Sequence, residues 1–153
     1  MFATTTALAL VLVPLVGTVP LGPDLAHTVI LAQAEDPYSN WIDLYTDSFE
    51  NSQGNTITQS WLLNPSIQRT GETVRFTLLS KRSPVGSNGT AAGLFAYIAN
   101  CGTLSHAIER ITFLDTENGV IDTHTYQSAL EDVDPDSPLY PHLLDICNGA
   151  YDE

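Results

Sequence analysis

The chain has 153 residues, of which 43% are hydrophobic and 15% are charged, values that fit one globular domain, or one domain behind a removable leader. Five Lys and Arg residues stand against eighteen Asp and Glu residues, a formal net charge of −13 at pH 7. Because contact with a phosphate backbone needs clustered cations, and the first basic residue is Arg69, this composition excludes a nucleic-acid partner.

The beginning of the chain has the pattern of a secretory signal peptide. Ala7–Val19 is an uncharged apolar run, and Ala32-Gln33-Ala34 offers the small residues that signal peptidase accepts. We therefore predict a signal peptide over residues 1–34 with cleavage after Ala34. A short linker over residues 35–39 and a domain over residues 40–149 are expected to follow.

Two alternatives to this leader stay open. No Lys or Arg precedes the apolar run, so the start could lie upstream of Met1, or the segment could be an uncleaved membrane anchor. Prolines and glycines interrupt the stretch, and a membrane span needs about 20 continuous apolar residues, so cleavage is favoured. We expect a protein located in the periplasm or at the cell surface, with no stable membrane insertion once the leader is removed.

Cys101 and Cys147 are the two cysteines of the chain. An even count behind an export signal indicates one disulfide bond, because oxidising compartments preserve such bonds. Closing a segment of about 46 residues would stabilise the fold by about 4 kcal/mol. Zinc sites need closely spaced Cys and His ligands, so the disulfide is favoured over metal binding.

Alternation of apolar residues with period two predicts strands in the middle of the chain. Val74, Phe76 and Leu78 alternate with polar residues and indicate a half-buried strand. Residues 94–101 are apolar on both faces, which is typical of a central strand. Residues 59–63 form a further short strand candidate.

A hairpin is predicted from residues 107–114 and 120–126, because Asn118-Gly119 lies between them and Asn-Gly favours a type I′ turn. If those two residues are the whole loop, Asp115 faces Asp122, and like charges opposite each other are unfavourable. The alternative is a longer loop.

The end of the domain has helical spacing, with apolar residues at i, i+4, i+7 and i+8: Leu139, Leu143, Ile146 and Cys147. Ser137 is a candidate cap, Pro141 could delay the start, and Asn148-Gly149 is a plausible end. The sequence therefore predicts an α+β fold, a small antiparallel β-sheet with one C-terminal helix docked on it and tied by the disulfide.

These motifs resemble the surface-adhesin protein E family, small exported bacterial envelope proteins. The motif residues that carry the resemblance are Trp41, Trp61, Ser66, Ile67, Arg69 and Gly71, followed by a strand that ends at Cys101 and a late Cys147. The resemblance covers roughly residues 40–148, with Asn64 where the family usually has Asp and Thr77 where it often has an aromatic residue. It implies the antiparallel sheet, the docked helix and the Cys101–Cys147 bond. It also implies, without a transferable residue motif, attachment to proteins of the extracellular matrix.

No catalytic pattern accompanies the three histidines of the expected domain, His106, His124 and His142. A Ser-His-Asp site needs a nucleophile on a framed turn beside its base, and no Gly-x-Ser-x-Gly or similar frame is present. We therefore expect neither an enzyme nor a cofactor, and keep a small hydrolase with an unframed site as a minor alternative.

Asp132, Asp134 and Asp136 occupy the first, third and fifth positions of a calcium-loop pattern. The sixth position is Ser137 and the twelfth is Leu143, where an EF-hand needs Gly and Glu, so no EF-hand is predicted. Weak cation binding remains the alternative to a solvated acidic loop.

Several aromatic residues could line a ligand-binding face, although aromatic residues on strands are more often core: Trp41, Trp61, Phe76, Phe95 and Tyr97. The leading hypothesis is an exported, non-catalytic envelope module that binds a protein partner, and an exposed edge strand would allow a homodimer. The alternative is a structural or stress-related envelope protein with weak cation binding by its acidic loops.

Overall fold

A computed structural model describes residues 36–152, in which the strands and the helix follow one another in chain order. They are β1 (Ile42–Glu50), β2 (Thr56–Leu63), β3 (Gln68–Thr70), β4 (Thr73–Ser83), β5 (Ala92–Asn100), β6 (Ser105–Leu114), β7 (Val120–Thr125), β8 (Glu131–Asp132) and α1 (Leu139–Cys147). The predicted signal peptide lies outside the described residues. Of the predicted linker, residues 36–39 lie in the turns that precede β1.

All strand pairs of the sheet are antiparallel, and the order is β1-β2-β4-β5-β6-β7. The short strands β3 and β8 pair with β4 and β6. The strand predicted from Val74, Phe76 and Leu78 is β4, and the strand predicted to be central is β5, which lies between β4 and β6. Both predictions are confirmed.

The loop between β2 and β3 contains Ser66 and Ile67, and the motif residue Gly71 follows β3. Asn64 Oδ1 accepts a hydrogen bond from the backbone N–H of Ser66 at 2.8 Å, which closes a local turn. Ile67 follows and packs, partly buried, against the core. Gly71 has a φ of 60° in the tight turn between Thr70 and Thr73, a conformation that glycine adopts at little cost.

Two hydrophobic clusters form because β4 and β5 carry apolar residues on both faces. Leu78 and Leu79 are neighbours in β4, point to opposite faces and are both fully buried. The buried residues of what we call the large cluster are Leu63, Val74, Phe76, Leu78, Tyr97, Ala99, Val133, Leu139, Leu143 and Ile146. Those of the small cluster are Leu62, Leu79, Ala92 and Leu114.

The predicted disulfide joins Cys101, just after β5, to Cys147, the last residue of α1, with 5.3 Å between the Cα atoms. Arg69 makes a second connection to the same region, because its Nη2 donates to the backbone oxygen of Ile146 and its Nε donates to Asp152 Oδ2 at 2.6 Å. The end of α1 is therefore held both by a covalent bond and by an arginine of β3.

The helix prediction is confirmed in its buried face and its end. Leu143 and Ile146 are fully buried, and Gly149 after the C-cap Asn148 has a φ of 75°. Ser137 Oγ accepts the N–H of Leu139 at 3.2 Å but is not the N-cap residue, which is Pro138. Pro141 does not delay the start, because N–H groups in a first turn have no helical partner to lose.

The hairpin between β6 and β7 has the longer loop of the two alternatives. Phe113 pairs with Asp122, so Asp115 lies in the loop and does not face Asp122. Asp115 Oδ1 accepts the N–H groups of Glu117 and Gly119, and Asn118 has a φ of 65°. The Asn-Gly pair therefore ends a loop that the Asp115 carboxylate organises, in place of a two-residue type I′ turn.

Candidate functional site

Three aromatic side chains and one histidine lie side by side on the face of the sheet that carries the large cluster. Tyr45 stacks on Trp61 with 5.9 Å between ring centroids, and Trp61 lies 5.2 Å from Phe95. His142 of α1 stacks on the other side of Tyr45 at 5.3 Å. All four are half-buried, and we call His142, Tyr45, Trp61 and Phe95 the aromatic row.

The row crosses from β2 to β5 because the residues beneath it are small. Trp61 pairs with Ser80 of β4, and Ser80 pairs with Gly93 of β5. A Cβ atom on Gly93 would stand 2.9 Å from Phe95 Cε2, so the Phe95 ring fills the space that a side chain would take. Ser80 and Gly93 thus allow rings two strands apart to meet.

A carboxylate borders the row. Trp61 Nε1 donates to Asp47 Oδ1 at 3.3 Å, which fixes the indole relative to β1. Burial, and then the nearby charge of Asp47, raise the pKa of Tyr45 to about 12. The Tyr45 hydroxyl is therefore neutral and able to donate a hydrogen bond throughout the neutral range.

The other aromatic candidates from the sequence have core positions. Phe76 and Tyr97 are buried in the large cluster and stack with 5.2 Å between centroids. Trp41 packs against the small cluster on the opposite face, edge-on to Tyr38 at 5.2 Å. Of the five aromatic residues proposed from the sequence, Trp61 and Phe95 belong to the row.

Sequence reasoning missed Tyr45 and His142. Tyr45 and Asp47 alternate along β1, and this period-two pattern could have assigned both to the face of Trp61. No sequence signal places His142 beside Tyr45, because that contact joins the first strand to the helix.

A small polar cavity of about 80 Å³ lies beside Phe95 and is also lined by Gln59, Arg82 and Phe113. The hydroxyl oxygens of Ser80 and Thr90 are buried at this place and have no protein partner within the described residues. A cavity of this size accommodates a few water molecules, which satisfy such groups in ordinary interiors. Hydration is therefore a sufficient role for it.

The three candidate cation ligands are not gathered into a site. Asp132 belongs to β8 and pairs with Ser105, whereas Asp134 Oδ1 accepts the N–H of Asp136 at 2.9 Å. Among residues 36–152 there is no group of three or more His, Cys, Asp or Glu side chains able to hold a metal ion.

The three histidines have separate surroundings. His142 belongs to the aromatic row, with Nδ1 3.4 Å from the Tyr151 hydroxyl. His124 Nε2 lies 3.1 Å from Asp122 Oδ2 on exposed β7. The His106 ring lies 5.9 Å from that of Tyr97, and its buried Nδ1 has no partner in the described part of the chain.

The described part of the chain has far more carboxylates than cations on its surface. Three of the five Lys and Arg residues pair with carboxylates: Arg69 with Asp152, Arg75 with Glu109 and Lys81 with Asp36. Most carboxylates between residues 36 and 152 therefore have no Lys or Arg partner.

Nothing in the described range has the length and hydropathy of a membrane-crossing helix. The chain matches no family model, no curated protein and no solved structure in the three comparisons made with known proteins.

Proposed function

We propose that this chain is an exported, non-catalytic envelope module of the adhesin E-like type. In this proposal it binds a protein partner with a basic surface through the aromatic row. The observation that carries the proposal is the half-buried aromatic row on a protein with a strongly acidic surface. The leader, with cleavage after Ala34, would direct it to the periplasm or the cell surface, where a disulfide is stable.

The composition of the row favours a protein partner. Tyr and Trp are enriched at the energetic centres of protein interfaces, because they bury a large area with few rotatable bonds. Here the rings already contact one another, and Trp61 is hydrogen-bonded to Asp47. Binding would therefore cost little side-chain conformational entropy. Trp61 and His142 stack on the two faces of the Tyr45 ring, which leaves ring edges for the partner.

The charges around the row favour a basic partner. Asp47 lies on the same face of β1 as Tyr45, and Asp43 and Glu50 lie on the opposite face of this edge strand, which carries no Lys or Arg. Complementary charge steers association and disfavours acidic partners, membranes with anionic lipids among them.

The C-terminal helix would provide one side of the binding surface, since His142 is part of the row. We accordingly propose that α1 stays docked on the sheet in solution. Its buried Leu139, Leu143 and Ile146 share a hydrophobic cluster with strand residues, and its last residue carries the disulfide.

Binding to an immobilised panel of purified envelope and extracellular-matrix proteins tests this function, with a polyarginine peptide as a probe of charge alone. We expect at least one panel protein to bind with an affinity that falls as salt rises. Trp61→Ala should weaken that binding at least tenfold. Trp41→Ala, a matched change on the opposite face, should leave it within about threefold.

Circular dichroism of both variants controls for folding. The proposal would be overturned if no panel protein bound. It would also be overturned if Trp61→Ala and Trp41→Ala weakened binding equally.

A further inference from the structure

Among the strands of residues 36–152, β7 is a free edge of the sheet. It ends the strand order, and all six of its residues are exposed. Apolar side chains lie on and next to it, with Val120 67%, Ile121 42% and Tyr126 41% exposed. A strand of this kind offers unpaired backbone groups and apolar area to another strand.

The backbone groups that face away from β6 can be identified. The N–H of Tyr126 donates to the oxygen of Glu109, so Tyr126 and Glu109 form a hydrogen-bonded pair. Inward and outward residues alternate in an antiparallel ladder, which makes His124 and Asp122 inward and Thr123 and Thr125 outward. The Thr123 N–H agrees with this, since it donates to the Asp122 carboxylate and not to β6.

Asp122 and His124 lie on the same face of β7, separated by Thr123. Within one chain His124 Nε2 is 3.1 Å from Asp122 Oδ2. The strand therefore carries an acid and a base symmetrically about one outward-facing residue. Such an arrangement can be self-complementary when the strand meets an antiparallel copy of itself.

Only one close register of two β7 strands is favourable. Outward residues must form the hydrogen-bonded pairs, so the two-fold axis can pass at residue 122, 123 or 124 with good overlap. An axis at 122 sets Asp122 against Asp122, and an axis at 124 sets His124 against His124. An axis at Thr123 sets Asp122 of each copy against His124 of the other.

The opposite edge, β1, lacks this property. It carries Asp43, Asp47 and Glu50 without a basic residue, and its pairing with β2 is irregular between Asp43 and Tyr45. Antiparallel self-pairing of β1 would bring acids together, and acidic, irregular edges are typical of strands protected from association.

We propose that β7 is the interface for a second copy of this chain, in a symmetric antiparallel pair centred on Thr123 that joins two sheets into one. On pairing, the Asp122 carboxylate leaves the Thr123 N–H of its own chain and binds His124 of the second copy. The Thr123 N–H then donates to the Thr123 oxygen across the axis. These bonds are exchanged one for one, so burial of Val120, Ile121 and Tyr126 supplies the driving force.

The contact is small compared with the roughly 1,000 Å² expected of a stable interface, which makes this a weak dimer. This surface is distinct from the aromatic row, so the dimer does not depend on the proposed function.

Sedimentation velocity of the purified protein, from about 1 µM to about 1 mM, tests the proposal. We expect a concentration-dependent monomer–dimer equilibrium in the original protein. His124→Asp sets acids against each other and should weaken the dimer about tenfold or more. The double change Asp122→His with His124→Asp restores the carboxylate–imidazole pairs and should recover most of the lost affinity.

A proline pair controls for backbone pairing. Thr123→Pro removes an outward N–H and should abolish the dimer, whereas Thr116→Pro, in the exposed loop beside β7, should leave it unchanged. A protein that stays monomeric up to about 1 mM would overturn the proposal. A dimer that persists in Thr123→Pro would also overturn it. So would a double variant, Asp122→His with His124→Asp, whose dimer is as weak as that of His124→Asp.

Discussion

The large and small hydrophobic clusters lie on opposite faces of one sheet and are closed by different means. The large cluster includes buried residues of β2, β4 and β5 together with Val133 and three residues of α1. It is also bordered by the disulfide between Cys101 and Cys147. The small cluster has four buried residues, and only Tyr38, Trp41 and Leu94 pack partly buried against it within the described part of the chain.

The small cluster is closed by contacts near the surface. Lys81 Nζ lies 2.9 Å from Asp36 Oδ2 and 5.7 Å from the centre of the Tyr38 ring. Exposed ion pairs contribute about 0 to 1 kcal/mol, far less than a disulfide that closes a long segment. We infer from this difference that the stability of this sheet is concentrated on the face of the large cluster, and three experiments test that inference.

The largest effect is expected from the disulfide. Changing both Cys101 and Cys147 to Ala removes a link across 46 residues and should lower the free energy of unfolding by about 4 kcal/mol. Urea unfolding with and without a reductant measures this. The reductant should destabilise the original protein and leave the double variant unaffected. An unchanged urea midpoint would show that the crosslink does not stabilise the face of the large cluster.

The next effect compares one residue of each cluster. Leu143→Ala empties a fully buried position in the large cluster and should cost about 3 kcal/mol. Trp41→Ala removes a half-buried ring from the small cluster and should cost about 1 to 2 kcal/mol.

Chemical unfolding of both variants measures these losses, with exposed Leu130→Ala as a control expected to cost less than about 0.5 kcal/mol. A larger loss for Trp41→Ala than for Leu143→Ala would reverse the comparison of the two faces.

A third effect is expected at alkaline pH. Burial, and then the negative charge that Tyr45 gains when it deprotonates, raise the pKa of Tyr97 to about 12. The folded state favours the neutral phenol of Tyr97. The contribution of this phenol to the free energy of unfolding is therefore complete below about pH 10 and is lost as pH rises through about 12. Full loss corresponds to about 2 to 3 kcal/mol, since one pKa unit equals about 1.4 kcal/mol.

Urea unfolding between pH 8 and pH 12 checks this expectation in the original protein and in Tyr97→Phe. The variant should lose less stability over this range, whereas Tyr126→Phe, at an exposed position, should behave like the original. If Tyr97→Phe and the original protein lost the same stability between pH 8 and pH 12, this effect could not be assigned to Tyr97 in the large cluster.

The local elements and the crosslink could be predicted from the amino-acid sequence alone. Alternating Val74, Phe76 and Leu78 identified a strand, and the spacing of Leu139, Leu143 and Ile146 identified a helix, because each pattern follows from the geometry of a single element. The disulfide followed from the count of two cysteines behind an export pattern. The acidic composition likewise favours a basic surface on the proposed partner.

The surfaces offered to another molecule depend on contacts between residues that are distant in the chain. Trp61 meets Phe95 across β4 because Ser80 and Gly93 leave room above the sheet, and Tyr45 meets His142 from the other end of the chain. The Asn118-Gly119 pair predicted a hairpin but not its loop, because the Asp115 carboxylate binds the loop N–H groups.

The free edge at β7 likewise depends on strand order, which period-two alternation does not encode. Alternation reports which face of a strand is apolar, whereas neighbours across a sheet are chosen by packing between residues distant in the chain.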